Sequence, residues 1–241
     1  MNNVTLLDWD TRLLGISTAK ILPENLTTDE LAAILNDLRQ REVRLVFWCA
    51  AATTENQTAA QKFDGILVDH KLTYICDLPA MTATKNPAKI SDKIAFYPQA
   101  DPDQKLLNLA YEIGKYSRFC QDPSLSENQF KAIYAEWMTN STYHRNAMDV
   151  MVIPDLQGWA GMVTLGEKNQ RGDIGLLAVA PHARGKGYGK ILVESAQAYF
   201  AEKGFQQSQV VTQQENIPAC KLYESCGYQL EKLEYFYHFW I

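Results

Sequence analysis

Gly185, Gly187 and Gly189 fall at alternate positions among Arg184, Lys186 and Lys190, with Tyr188 between the last two glycines. An apolar run over residues 174–179 leads into them, and an apolar-periodic stretch over residues 191–200 follows. A strand, a glycine-rich turn and a helix N-terminus in that order make an anion site. The first N–H groups of the helix lack partners there, and its dipole favours negative charge. Glycine lets the backbone approach a pyrophosphate with no Cβ in the way, and the three basic residues add mobile positive charge. The bland alternative is a glycine-rich surface turn closing an ordinary strand–helix unit. Two familiar phosphate loops are excluded by spacing. A Walker A loop places four residues between its first glycine and Gly-Lys-Ser/Thr, and a dinucleotide fingerprint reads G-x-G-x-x-G after the first strand of a βαβ unit. Here the pattern is G-x-G-x-G, late in the chain.

Further candidates lie on either side of this loop. Asn216 stands where a helix over residues 217–225 begins, the place of an N-cap. Tyr223, seven residues on, lies two turns along the same helical face, and Gly227 marks a helix stop before Tyr228. Asp173 precedes the apolar run beside Arg171. It reads either as a proton acceptor or as a solvated charge at a strand entry. Cys220 and Cys226 flank the helix with no basic partner beyond Lys221, which does not favour a covalent route.

Composition narrows the classes. The chain has 241 residues, 46% of them hydrophobic and 21% charged, which describes a globular protein with a sizeable core. A net charge of −5 argues against a general nucleic-acid binder, so the basic loop is a local site. Five scattered cysteines without a C-x-x-C pair, and four histidines without H-x-x-x-H spacing, disfavour a disulfide framework or a metal centre and suit a reducing compartment. The N-terminus shows no signal peptide, and no apolar run approaches the roughly 20 residues of a membrane span. A cytoplasmic protein without membrane or nucleic-acid partners is the expectation.

The elements that must position these residues fall in two groups around a linker expected at residues 79–93, rich in Pro, Thr, Ala and Lys. Before it, strands are expected at 4–7, 16–22 and 43–49, and helices at 28–41 with Thr28 as N-cap and at 56–63. Two more strands are expected at 66–68 and 72–78. After it come helices at 102–116 and 125–138, a hairpin of strands 147–153 and 159–165 around Pro154 and Gly158, and then the glycine-loop strand with its helix. A strand at 209–212, the helix at 217–225 and two closing strands within 228–240 complete the order.

Arg184-Gly185-Lys186-Gly187-Tyr188-Gly189 resembles the R/Q-x-x-G-x-G/A signature of the GNAT superfamily of N-acetyltransferases. Residues 214–228 resemble that family's N-x-x-A-x-x-L-Y-x-x-x-G-F/Y pattern. The resemblance implies an α/β chain in which residues 91–241 adopt the GNAT fold, a mixed central sheet flanked by helices. A smaller, truncated GNAT-like α/β domain over residues 1–90 would precede it. It implies acetyl-CoA as acyl donor and no metal. Leu177, Ala178 and Val179 would pair with the pantetheine as another strand would. Arg184, Gly185, Lys186, Gly187, Tyr188, Gly189 and Lys190 would hold the pyrophosphate, and Asn216 would contact coenzyme A as well as capping its helix. Tyr223 would protonate the departing thiolate; its other reading is a core tyrosine. The base stays open between Asp173 and a water chain.

The acceptor is read from Ser117-Arg118-Phe119-Cys120-Gln121-Asp122-Pro123 with Tyr134, Trp137 and Ser141, and from Asp8-Trp9-Asp10 through Gly15. These stretches resemble the bacterial TDP-fucosamine acetyltransferases, which N-acetylate a dTDP-linked 4-amino-4,6-dideoxygalactose. Leu13-Leu14 stand in place of that family's two phenylalanines. The resemblance implies a nucleotide amino sugar bound by Ser117, Arg118 and Asp122, and a homodimer is one expected assembly. Arg118 is suited to gripping a diphosphate bidentately, or to pairing with Asp122 as a brace of the inter-helix loop. Rival readings keep the chemistry with a protein N-terminus or small amine as acceptor, or make the chain a catalytically silent acyl-CoA-binding module.

Overall fold

The computed structural model describes residues 3–78 and 89–241. The first ten residues of the expected linker, 79–88, lie outside the described residues. In chain order the elements begin with β1 (Val4–Leu6), α1 (Asp8–Leu14), β2 (Thr18–Ile21), α2 (Thr28–Gln40), β3 (Leu45–Ala51), α3 (Thr54–Lys62) and β4 (Ile66–Asp77). Then follow β5 (Ala95–Phe96), α4 (Gln104–Ile113), α5 (Arg118–Gln121), α6 (Glu127–Thr142), β6 (Asp149–Asp155), β7 (Gly158–Lys168) and β8 (Arg171–Val179). The last are α7 (Tyr188–Glu202), β9 (Gln207–Gln213), α8 (Ile217–Ser225) and β10 (Gln229–Trp240).

All ten strands belong to one mixed sheet in the order β1-β2-β3-β10-β4-β9-β8-β7-β6-β5. Its pairs are antiparallel except β2 with β3 and β8 with β9. The sheet runs through the boundary expected near residue 90. The C-terminal β10 lies between β3 and β4, so it completes the N-terminal half. Side-chain alternation on β3 shows how the layers form. Leu45, Phe47 and Cys49 face a large core shared with α4, α5 and α6, while Val46, Trp48 and Ala50 face a smaller core under α2 and α3.

Local chemistry sets the helix starts. Thr27, one residue ahead of the expected Thr28, caps α2 in a reciprocal box with Glu30. Ser126 and Gln129 do the same for α6, and Asp103 caps α4 through the Leu106 N–H at 2.8 Å. The seven residues of α1, which stand outside the expected elements, end on Gly15 in the left-handed region.

Two expectations need correction. Residues 66–68 and 72–78 are one strand, β4, and the two closing strands are likewise one, β10. Register shifts between Leu230 and Lys232 and between Phe236 and Tyr237 interrupt the period of two. A bulge inserts a residue without ending a strand, so a broken alternation imitates a turn. The polar run Asp69-His70-Lys71 in mid-β4 deepens the illusion.

Candidate active site

Of the candidate residues, Ser117, Arg118, Asp173, Leu177, Ala178, Val179, Arg184, Asn216 and Tyr223 line one cleft where the sheet opens, and Asp122 and residues 185–190 do not. β8 and β9 pair in parallel only through Gly172, Asp173 and Ile174, and then separate. On its other side β8 slips by one residue against β7 between Val163 and Leu165. Gly175 sits in this bulge, where a Cβ would stand 2.8 Å from Thr164 Oγ1. That hydroxyl accepts the Leu176 N–H at 2.8 Å, taking up a donor that the bulge removes from the ladder. Beyond Ile174, the backbone of Leu177, Ala178 and Val179 forms one wall of a cleft of about 720 Å³.

β8 passes through a short 3-10 turn, Pro181–Ala183, into the glycine loop. Gly185 and Gly187 adopt φ of +77° and +79°, and the space above both is open, a backbone conformation that glycine takes without strain. Gly187 is the N-cap of α7 and offers no side chain, so the first N–H groups of that helix are uncapped. Lys186 and Lys190 are exposed beside them, and Lys190 lies 3.7 Å from Glu194. Arg184 lines the cleft; its guanidinium reaches the Val179 carbonyl at 3.2 Å and Glu112 at 3.0 Å. This pair is more than half exposed on the arginine side, so it contributes little stability and leaves Arg184 available.

Asn216 caps α8, accepting the Ala219 N–H at 3.4 Å, and also lines the cleft. Both readings of this residue are therefore compatible with its place. Tyr223 lines the cleft from the same helix, its ring packed between Tyr74 and Tyr228 at centroid distances of 6.4 and 5.9 Å. Burial pushes its phenol well above the ordinary tyrosine value, with smaller contributions from Cys220 and Cys226. Core packing and access to the cleft coexist in this side chain.

Asp173 is half-buried in the cleft wall. Arg171 does not accompany it, being engaged in two 2.8 Å hydrogen bonds to Glu231. Asp173 instead accepts from Gln209 at 2.7 Å, and burial raises its pKa despite that bond. The solvated strand-entry charge is thus not what the fold makes of it.

The Ser117–Asp122 segment divides. Ser117 and Arg118 line the cleft. The Arg118 guanidinium lies against Phe119, Phe236 and Phe47 at 4.1 Å, 4.6 Å and 5.3 Å from the ring centroids, within the range of a cation–π contact. Asp122 is turned away from the cleft into the core, 1% exposed. It accepts from His238 Nδ1 at 2.6 Å and Trp240 Nε1 at 3.0 Å. Burial raises its pKa, but hydrogen bonds from His238, Ser124 and Trp240 outweigh this and hold it below the usual range. His238 is pushed down to about 4 by burial, against the pull of Asp122, and is neutral there. Arg118 and Asp122 therefore form no pair, and Asp122 fastens α5 to β10.

Asp10 of the Asp8–Gly15 stretch lines the cleft from α1, and several other wall residues carry no sequence motif: Lys20 on β2, Phe47 and Cys49 on β3, Asp69 and Lys71 on β4. Asp69 has its carboxyl pushed up to about 7 by burial, partly countered by Arg118 and Gln213. The available signal is an acid inside an otherwise apolar strand pattern, which reads as a turn when the strand is divided in two.

Comparison with known proteins places this geometry. Residues 112–228 match the model of the acetyltransferase (GNAT) family. The spore coat polysaccharide biosynthesis protein SpsD of Bacillus subtilis (strain 168) is 28% identical over 152 residues. That match spans 59% of this chain and 49% of SpsD, so it covers about half the length of the curated relative. A conserved protein of unknown function from Staphylococcus epidermidis superposes with a TM-score of 0.67 at 10% identity, covering 100% of this chain and 92% of that one. A GCN5-related N-acetyltransferase from Sphaerobacter thermophilus gives 0.60 at 14%, covering 98% and 75%. At such identities these structures speak for the fold alone, and the fold they share is a mixed sheet flanked by helices.

Proposed function

Taking residues 112–228 as a GNAT-family acetyltransferase domain, we propose that this chain transfers acetyl from acetyl-CoA to the amine of a nucleotide-linked amino sugar, of the dTDP-4-amino-4,6-dideoxyhexose type. One observation carries the reading. A single cleft joins the opened β8 edge and Tyr223 to a deep half walled by Arg118, Asp69 and the aromatic Phe47, Phe236 and Trp137. Bound acetyl-CoA would supply an acyl thioester. The fit of this chain to it rests on the uncapped N-terminus of α7, the open space above Gly185 and Gly187, and the free edge of β8.

In this reading the N–H groups at the start of α7, with Lys186 and Lys190, hold the pyrophosphate. Tyr188 and Gly189 begin the helix, and Asn216 reaches the carrier from α8. A backbone N–H at Ala178 or Val179 donates to the thioester oxygen as charge develops on it. Tyr223 gives its proton to the leaving sulfur, whose thiol has an ordinary pKa of about 8.5. Asp173, which lines the cleft and has a raised pKa, would take a proton from the incoming amine, directly or through a water chain. The name of the SpsD relative, a polysaccharide biosynthesis protein, supports a sugar acceptor.

A thiol-release assay with acetyl-CoA and a panel of dTDP-amino sugars, peptides and polyamines tests this. Turnover is expected with the nucleotide sugars. Turnover only with peptides or polyamines moves the chain to another acceptor class, and none with any amine leaves an acyl-CoA-binding module.

A further inference from the structure

Three buried side-chain atoms of the cleft lining have no hydrogen-bond partner among the described residues: Asp69 Oδ1, Arg118 Nε and Ser117 Oγ. The first two carry opposite charge. Asp69 is 8% exposed, and its Oδ1 has no hydrogen-bond partner among the described residues. Its other oxygen accepts only from Gln213, at 3.5 Å. Arg118 Nε is likewise buried and without a hydrogen-bond partner among the described residues. Leaving a buried donor or acceptor unpaired is costly, and more so when the group is charged. Both groups are nevertheless fixed. Asp69 sits in mid-β4 opposite Phe236 of β10, and Arg118 is braced by three phenylalanine rings.

Charge selects what such a pair can bind. Arg118 feels Asp10 and Asp69 as its acidic neighbours. A diphosphate brought to this arginine would meet both carboxylates, and like charges away from bulk water repel strongly. Lys71 and Lys20 of the same wall are otherwise engaged, the first with Glu234 at 2.7 Å and the second toward Asp10. An ammonium brought to Asp69 would meet the guanidinium with the same penalty. What remains is a neutral group that accepts from Arg118 and donates to Asp69 at once. A hydroxyl has both capacities, and two adjacent hydroxyls match a donor and an acceptor lining one pocket. Phe47, Phe236 and Trp137 line the same cleft and add apolar surface for the face of a sugar ring.

We infer that Arg118 and Asp69 form a subsite for the vicinal ring hydroxyls of the acceptor sugar, with the nucleotide diphosphate lying elsewhere in the cleft. The inference rests on the amino-sugar reading and changes the part expected of Arg118, from holding a diphosphate to holding a diol. In a 4-amino-4,6-dideoxyhexose the vicinal hydroxyls stand at C2 and C3, and C3 adjoins the carbon that bears the amine. A subsite that holds the diol leaves that amine unpaired with any charge and free for the thioester.

Thiol-release kinetics with dTDP-4-amino-4,6-dideoxygalactose and its 2-deoxy and 3-deoxy counterparts test the subsite on the unaltered protein. Removing either hydroxyl should raise the acceptor KM about tenfold or more, the worth of one hydrogen bond to a charged group, with the acetyl-CoA KM unchanged. In Asp69→Ala the penalty should vanish for one of the two deoxy acceptors, the one that lacks the hydroxyl donating to Asp69, and persist for the other, which lacks the hydroxyl held by Arg118. Equal use of diol and deoxy acceptors by the unaltered protein overturns the subsite alone, as does full discrimination retained in Asp69→Ala. Turnover of none of the dTDP-amino sugars overturns the functional reading, and the subsite with it.

Discussion

At the scale of single residues, the same burial does opposite things to different groups. Tyr223 is pushed up, so it remains protonated throughout the neutral range, as the proposed role of proton donor to the leaving thiolate requires. Tyr223→Phe should therefore lower kcat by about 100-fold or more while changing the acetyl-CoA KM little; unaltered turnover removes Tyr223 as the acid. Asp69 and His238 make a second case. Asp69, facing Arg118, Gln213, Glu215 and Lys71, titrates near 7 in the fold. It binds more protons folded than unfolded, so its contribution to stability is complete below about pH 4 and is lost as pH rises through 7. His238, facing Asp122 and Arg118, is depressed to about 4. The unfolded chain binds its proton more readily, so stability from this group rises with pH between about 4 and 6.5. The two slopes oppose each other across that window. In Asp69→Asn only the histidine slope remains, and the thermal midpoint should climb more steeply between about pH 4 and 6.5 than in the unaltered protein. Identical slopes in the two proteins would show that Asp69 is not the buried acid described here.

At the scale of elements, what was legible in the sequence and what was not have separate physical causes. The glycine loop and its flanks could be read because local chemistry dictates them. Gly187 must adopt a left-handed φ at the start of α7, and Asn216 marks the start of α8, whose bounds at residues 217 and 225 are those the spacing predicts. The half of the cleft around Arg118 was less legible because long-range pairing assembles it. Ser117 and Arg118 could be singled out from their segment, but Asp122 shares that segment and serves β10 instead. Asp69 and Lys71 lie in a strand that bulges disguise. The loop also gives an element-scale test. Gly187→Ala places a Cβ at φ +79° in open space, so the expense is conformational, about 1–2 kcal/mol, and falls on the loop proposed to hold the pyrophosphate. The acetyl-CoA KM should rise several-fold with the acceptor KM unchanged, both read from initial rates. A rise in the acceptor KM alone would detach the loop from the donor.

At the scale of the whole molecule, chain order and spatial order disagree, and that disagreement decides how the protein unfolds. Alternating aromatics at residues 235–240 are readable as core from sequence, and Phe236, Tyr237 and Phe239 are indeed buried. Sequence alone does not say that these side chains belong to a strand bonded on both edges, to β3 through residues 234–240 and to β4 through 229–238. β4 in turn pairs with β9, which pairs with β8, so the N-terminal layers and the opened edge are joined by an unbroken ladder. Phe239 probes the connection. It is fully buried beside Trp48, in the smaller core under α2 and α3, and packs so closely on Gly65 that a Cβ there would stand 2.7 Å from its ring. Phe239→Ala should destabilise the protein by about 3–5 kcal/mol. Because β10 carries that loss to the sheet as a whole, a single thermal transition should shift down intact, with far-UV ellipticity and tryptophan fluorescence coincident. Two units folding independently on either side of residue 90 would respond differently. A first transition would move, and a second, belonging to the domain with the glycine loop, would stay where it was.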